Sequence, residues 1–441
     1  MSNLPPLASG SRPLLGHAVA MYRDAFPLVE RGHREHGRVF SLNLAGKPAV
    51  VLLGNEHDRW LFKETDTLFS ISEGMPFFAR MFDPDMYFLA GPAEYQRQRE
   101  ILLPRFQARH LAKYTEIMTA ETDAWIEGLG ESGEFDVIDE FGPLIMRIAA
   151  KSFLGEDFGE RLGTDFFAEF RRFSAGLDVI FPSWLPLPHF IRSRRARARL
   201  HTALGALVAE RHRNPTDPPD FLQALSTATY SDGEPLPERL VINIVLGLTW
   251  VGQETTTGHA SWALIHLLQH PGELAKVRAE QRDRLPAGAS ELGDFRELRY
   301  LDAALHETER LRPVAQLIAR GALEDIKVDE YVIPKGARVF LSPAITHRLP
   351  ELFEDPETYA PQRFIDDPKS AQLLIGFGGG VHRCLGARFA YLEMQIILTL
   401  LLRAMDLELL DPDPRPIAGP GTKWPQGPVR VRYARRAGDR G

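Results

Sequence analysis

Apolar residues recur at helical spacing along most of this chain, and they alternate or run together over only a few short stretches. From Ala20 to His36 the pattern predicts one helix, closed by Gly37. Val39–Leu44 and Ala49–Leu53 flank the turn Ala45-Gly46-Lys47-Pro48 and predict a β-hairpin, followed by a helix over Glu56–Lys63. A series of amphipathic helices is expected from Leu111 to Arg213, broken at Gly130–Gly133, Gly155–Gly159 and Phe181–Pro188. The longest helical stretch is Leu240–Gln269. Between Val241 and Val251 it is apolar on nearly all sides, as suits a helix through the middle of a protein. Strands are expected around Ile326–Val332 and Arg338–Leu341, and Leu385, Phe389, Leu392, Ile396 and Leu400 predict a last buried helix. Residues 1–16, rich in Pro and Gly, read as an extended arm on the surface.

Two stretches depart from this pattern. Phe69–Leu89 is irregular yet holds Met75, Phe77, Phe78, Met81, Phe82, Met86, Tyr87 and Phe88. Loops avoid so many apolar side chains unless they cover something apolar, either the core or a cavity. In the middle of the long apolar helix stands Gly252-Gln253-Glu254-Thr255-Thr256. A carboxylate there is costly without a task or a partner. Gly252 beside it opens space for something to lie against the helix. Thr255 could equally bond back to its own helix.

Composition narrows the class. Hydrophobic residues at 44% and charged residues at 25% describe a globular chain with ample core. A net charge of −7 argues against nucleic acid. The basic run Ile191–His212, with Arg192, Arg194, Arg195, Arg197 and Arg199, reads as one solvated helix face. Apolar runs such as Ile396–Leu402 fall short of the roughly 18–20 residues that span a bilayer, and the N-terminus does not read as a leader. A soluble, cytoplasmic protein without a membrane span is expected. His266 and His270 share a helix face but lack the neighbouring acid of a zinc motif, and are taken as structural.

The single cysteine excludes a disulfide framework. Cys384 lies in Phe377-Gly-Gly-Gly-Val-His-Arg-Cys-Leu-Gly386, where a loop becomes a helix. A cysteine at a helix N-terminus is biased towards thiolate. A lone thiolate ligates a metal mainly when the metal brings its other ligands, as haem does. Lone cysteines are more commonly small buried hydrophobes, but the glycines, Phe377 and His382 favour ligation.

The pattern Phe-x-x-Gly-x-His-x-Cys-x-Gly, carried by Phe377, Gly380, His382, Cys384 and Gly386, resembles the haem-binding loop of the cytochrome P-450 superfamily. Further motifs extend the likeness over almost the whole chain. Gly252-Gln-Glu254-Thr255 is similar to the Ala/Gly-Gly-x-Asp/Glu-Thr-Thr/Ser motif, with Val251 in place of a small residue. Glu307 and Arg310 match Glu-x-x-Arg. Arg363 stands in Pro361-Gln-Arg-Phe, where Pro-Glu-Arg-Phe is common. Arg99 matches an arginine that reaches a haem propionate, while Tyr95 replaces the Trp or His four positions earlier.

The resemblance implies a haem-thiolate monooxygenase of mainly α fold with a smaller β-rich lobe, a single domain over 1–441. The arm 1–16 precedes it, and about 37–53 and 314–345 contribute to the lobe. Haem b would lie between the long central helix and the helix after the cysteine loop. Cys384 would be the metal ligand, with Gly252, Phe377, Gly378 and Gly386 against the cofactor and Arg99, Arg320, His382 and Tyr95 near its propionates. Glu254 and Thr255 would relay protons to bound oxygen. Phe77, Phe78, Met81, Phe82, Phe181, Leu246, Trp250, Val251, Leu317 and Trp424 would surround an apolar substrate: a steroid or sterol, a terpenoid or a fatty acid. Phe173, Leu177, Ile180, Phe181 and Trp184 lie where the family places a mobile lid. Glu307, Arg310 and Arg363 would form a structural network. With one cysteine and no fused flavin domain, electrons would come from a ferredoxin and its reductase, docking near Arg383 and Arg388, with O2 as co-substrate. A peroxygenase or isomerase needing no redox partner, and a non-enzymatic haem or lipid carrier, are the alternatives; the Glu254-Thr255 pair argues against both.

Overall fold

A computed structural model describes residues 3–155, 165–177, 185–285, 288, 291–419 and 421–436. The predicted first helix is two. Asp24 has an extended backbone (φ −162°, ψ 115°) and its carboxylate accepts from Phe26 N. Helix α1 (Ala18–Arg23) therefore ends there, and α2 (Ala25–His36) starts with Asp24 as its N-cap. Strands β1 (Val39–Leu44) and β2 (Lys47–Leu52) form the predicted hairpin. Ala45 and Gly46 turn it at φ 54° and 87°, the pairing of positive angles that matches strand twist. The N-terminal arm does more than lie on the surface. Ala8 N donates to Ser41 O (3.0 Å) and Ser41 N to Pro6 O (2.8 Å), so the arm pairs with the free edge of β1 and Ala8 is buried.

Helix α3 (Asn55–Lys63) follows, and the aromatic segment holds β3 (Phe69–Ser70), α4 (Ile71–Gly74) and a 3₁₀ turn at Phe78–Arg80. Then come α5 (Pro92–Leu102), α6 (Ala108–Leu129), β4 (Ser132–Asp136) and α7 (Val137–Leu154). Asp136 caps α7 by accepting from Ile138 N and Asp139 N. Of the break over Gly155–Gly159 only Gly155, which ends α7 at φ 106°, is among the described residues, and the start of the one over Phe181–Pro188 lies outside them. Beyond them are α8 (Asp165–Ser174), α9 (Pro188–Arg213), α10 (Phe221–Ser226) and the central helix α11 (Glu238–Gln269). On α9, Arg192, Arg194, Arg195 and Arg199 are exposed while Ala196, Leu200 and Leu204 are buried, the expected solvated face.

Helices α12 (Pro271–Arg284), α13 (Leu292–Arg296) and α14 (Arg299–Leu311) lead to β5 (Ile318–Ala322), β6 (Ile326–Val328), β7 (Tyr331–Ile333) and β8 (Arg338–Leu341). Short α15 (Pro343–Thr346) and α16 (Gln362–Asp366) precede α17 (Ala387–Ala404), β9 (Met405–Leu409) and β10 (Arg430–Arg435). The main sheet has the order β1-β2-β8-β5-β3, with β2 and β8 parallel; β4, β10 and β9 form a second sheet and β6 and β7 a third. The result is a mainly α protein with small sheets.

Helix α11 threads this assembly and packs on α7, α9, α14 and α17. That burial on all sides explains why its sequence shows no polar face. The stretch Gly380–Ala404, with a mean hydropathy of 1.5, is long and apolar enough to cross a membrane by length and composition. Its helical part, α17, lies in the core and packs against α6, α11 and α14.

Candidate active site

The cysteine loop is held from behind and from both ends. Cys384 N donates to Phe377 O (2.9 Å), and Gly378 and Gly380 take φ values of 70° and 63°, conformations that favour glycine. A Cβ on Gly379 would lie 2.4 Å from the Phe62 ring, so α3 packs against the loop too closely for any side chain there. Glu309, which the sequence reading passed over, anchors the entry: its carboxylate accepts from Gly376 N (3.0 Å) and from the Tyr391 hydroxyl. The Cys384 side chain has free surface, yet the protein around it desolvates the thiol and pushes its pKa up. The N–H groups of Gly386 and Ala387 and the charge of Arg383 pull the thiol down, as a helix N-terminus should, but burial outweighs them.

Beside the loop, charged groups converge. Arg320, on β5, is buried; its Nε donates to Thr65 Oγ1 (3.3 Å) and its Nη1 to Ala319 O (2.9 Å), and burial lowers its pKa to about 10. Among the described residues no carboxylate pairs with it within 4.0 Å. Arg99 Nε donates to Val381 O (3.2 Å). The Tyr95 hydroxyl donates to the same carbonyl (2.9 Å) and lies 3.1 Å from that of Tyr87. Its ring packs on His382 at 4.0 Å between centroids. His382 Nε2 in turn meets Asp66 Oδ2 at 2.7 Å. Burial pulls the His382 pKa down, helped by Arg320 and Arg99, while Asp66 pushes it up. Asp66, at φ 82°, was invisible to motif reading because nothing in its neighbourhood marks it.

On α11, Glu254 is largely enclosed, and burial pushes its carboxyl above the ordinary range. A hydrogen bond with Ser174 and the charge of Arg171, both on α8, pull it back. Ser174 Oγ also accepts from Trp250 Nε1 (2.7 Å). Thr255 Oγ1 donates to Val251 O (2.8 Å), the back-bond to its own helix, and keeps its lone pairs as acceptors. Trp424 Nε1 donates to the Glu254 carbonyl (2.7 Å), and its ring is the neighbour that a Cβ on Gly258 would strike at 2.7 Å. Gly252 is placed differently from expectation. A Cβ there would point at Phe153 (3.8 Å) and Ala149 (4.0 Å) on α7, so the missing side chain serves helix packing.

Several of these aromatic residues pack against one another. Phe77 and Phe78 pack at 4.6 Å, and Phe78 and Phe82 lie 5.9 and 5.7 Å from Trp250. Phe77, Phe78 and Val251 keep free surface, whereas Met81, Phe82 and Leu246 are 3%, 1% and 0% exposed and belong to the core. Leu317 packs with the cluster under the main sheet that holds Phe40 and Phe340. Phe173 joins Phe82 at 5.5 Å; Ile180, Phe181 and Trp184 lie outside the described residues.

Behind the loop sits a buried ion network. Arg310 Nε and Nη2 donate to Glu307 (2.7 and 2.9 Å), both side chains are 0% exposed, and Arg363 Nε adds a contact of 3.2 Å. Arg310 also supplies the carbonyls of His347, Pro356 and Thr358, and Ala360 N donates to Glu307.

The family profile described as cytochrome P450 matches residues 5–431. The chain belongs to the cytochrome P450 family. It is 32% identical to a sterol 14alpha-demethylase of Mycolicibacterium vanbaalenii over 98% of both chains. It is 30% identical to a sterol 14-demethylase of Arabidopsis thaliana, over 98% of this chain and 92% of that one. A lanosterol 14-alpha demethylase of Homo sapiens is 28% identical over 98% of this chain and 87% of its own. A solved structure, retinoic acid bound cyanobacterial CYP120A1, superposes with a TM-score of 0.88 at 27% identity, covering 99% of this chain and all of that one. This P450 is a monooxygenase, an enzyme that takes haem, O2, an apolar substrate and electrons from a redox partner. Its own residues fit the haem. Cys384 keeps free surface at the end of its loop, and among the described residues Arg320 is a buried guanidinium without a carboxylate partner within 4.0 Å, the state that a propionate would relieve.

Proposed function

We propose that this P450 hydroxylates a sterol-sized apolar substrate, using haem b held by Cys384 and electrons delivered by a ferredoxin and its reductase in the cytoplasm. When bound, the haem supplies the activation of oxygen; the protein supplies ligation, protons and a dry pocket. Cys384 provides the sulfur, and Arg320, with Arg99 and His382, holds the propionates. The observation that carries the proton-handling role is the Glu254 environment. Burial keeps a proton on the carboxyl at higher pH than usual, and Ser174 and Arg171 limit that rise, so Glu254 can both hold a proton and release it. Thr255 Oγ1, its own proton given to Val251 O, accepts a hydrogen bond and so orients a donor on that face. Trp424 holds the helix backbone at Glu254.

The half-buried Phe77, Phe78 and Val251 give an apolar, water-excluding wall, and three relatives named for sterol demethylation support a sterol-like substrate. Exposed Arg383 and Arg388 offer a cationic face on the cysteine side for an acidic ferredoxin. The test is the ratio of product to NADPH consumed, with a surrogate ferredoxin system and a substrate chosen by spectral binding among sterols, terpenes and fatty acids. Thr255→Ala is expected to keep haem content and substrate binding while more electrons emerge as hydrogen peroxide. Glu254→Gln is expected to slow turnover more than it diverts product. Unchanged coupling and rate in both variants would overturn the proton-relay role.

A further inference from the structure

Away from the cysteine loop, a cavity of about 230 Å³ opens between the start of α6, the end of α7 and the link from α9 to α10. Its wall carries Arg105, Lys113, Lys151 and Arg211 against one carboxylate, Asp220. Two of these cations are already neutralised: Lys151 pairs with Glu121, and Arg211 Nη2 with Asp220 Oδ2 at 2.7 Å. Asp220 is fully used, since its other oxygen caps α10 by accepting from Gln223 N (2.7 Å). Arg105 and Lys113 have no ion pair within 4.0 Å among the described residues, and Arg105 Nε is buried without a hydrogen-bond partner. In the same wall the Ser152 hydroxyl is also buried without a partner, its residue 3% exposed.

Buried polar groups left unpaired are uncommon and call for an explanation. Arg105 and the exposed Lys113, neither in an ion pair, line one recess together with Ser152, and such a lining is complementary to an anion with several oxygens. A phosphoryl group has three terminal oxygens and up to two charges; a carboxylate has two oxygens and one charge. We propose that this cavity binds a phosphoryl group, held by Arg105 and Lys113 and by the Ser152 hydroxyl. The recess exceeds the size of a bare phosphate ion and suits a phosphate ester. His110 lies in the same wall, with Arg109 Nε donating to its Nε2 (3.2 Å), and serves as a reporter. Burial, Arg105 and Arg109 depress its pKa, and an anion beside Arg105 raises it.

The test is calorimetry on the haem-loaded protein at low ionic strength with inorganic phosphate, glycerol 3-phosphate and vesicles containing phosphatidic acid. One saturable site per chain is expected for at least one probe. Soluble ester binding points to a metabolite, and binding by vesicles alone points to a lipid headgroup. Arg105→Gln should weaken binding about tenfold or more, Lys113→Gln somewhat less, and Lys47→Gln on the distant hairpin not at all. The His110 resonance should titrate at higher pH in the presence of the probe. If Arg105→Gln fails to take up haem, Lys113→Gln combined with Ser152→Ala carries the test. Absence of a saturable site, or wild-type affinity in the cavity variants, overturns the proposal.

Discussion

Arg310→Ala is the substitution whose consequence the structure defines most sharply. Its guanidinium makes five hydrogen bonds: two to Glu307 and one each to the carbonyls of His347, Pro356 and Thr358. Truncation leaves Glu307 buried with only Arg363 Nε and Ala360 N as partners. Stranding such a charge costs about 3–5 kcal/mol. The three carbonyls lose a donor at about 1–3 kcal/mol each if water cannot reach them. These costs fall in one cluster and do not add. Even the first alone is a large share of the roughly 5–15 kcal/mol that stabilises a typical fold. Arg363→Ala is the built-in contrast. Its side chain is 16% exposed and it makes one contact to Glu307 and one to Glu354 O, so a loss of about 1–2 kcal/mol is expected. The assay is haem-loaded yield together with the urea midpoint of each variant. Arg310→Ala should give little haem-loaded protein, and Arg363→Ala a stable but weakened one. Replacing both Glu307 and Arg310 by apolar residues should not restore stability, because the three carbonyls stay unpaired. An Arg310→Ala protein within about 1 kcal/mol of wild type, or less affected than Arg363→Ala, would refute the reasoning.

Two further outcomes are expected. Cys384→Ser should lose the red-shifted Soret band of the reduced carbon monoxide complex, since a hydroxyl cannot replace a soft thiolate; a retained band would remove Cys384 as ligand. Asp58, on α3, is buried with neither carboxylate oxygen partnered among the described residues, and burial raises its pKa from 3.8 to about 8. A raised folded-state pKa contributes stability that is full below about pH 4 and is lost as pH rises towards 8, on the order of 5 kcal/mol across that window. Asp58→Asn should therefore flatten the fall in thermal stability between pH 5 and 8 and be the more stable protein at pH 8. Parallel pH curves for the two proteins would show that Asp58 finds a partner or solvent.

Much of the site was legible in the chain because it is local. The glycines, His382 and Cys384 fall within one ten-residue stretch, and Glu307 and Arg310 share a helix face through their spacing alone. The hairpin was legible for the same reason: short apolar, β-branched runs on either side of Ala45-Gly46 specify strands and turn together. The central helix showed itself by lacking a polar face. What the sequence could not reveal depends on local competitions that periodicity does not register and on partners far along the chain. Asp24 breaks the first helix because its own side chain caps the second, a competition that apolar periodicity does not register. Gly252 reads as space for a ligand, but only the packing of α7 against α11 shows which way the missing side chain points. The proton affinity of Glu254 is governed by burial and by Ser174 and Arg171, some 80 residues earlier, and that of Cys384 by desolvation that overrides its helix position. Residue type and spacing determine which groups are available and which element carries them. Desolvation and the choice of partner are properties of the packed interior, and they exist only once the chain has folded.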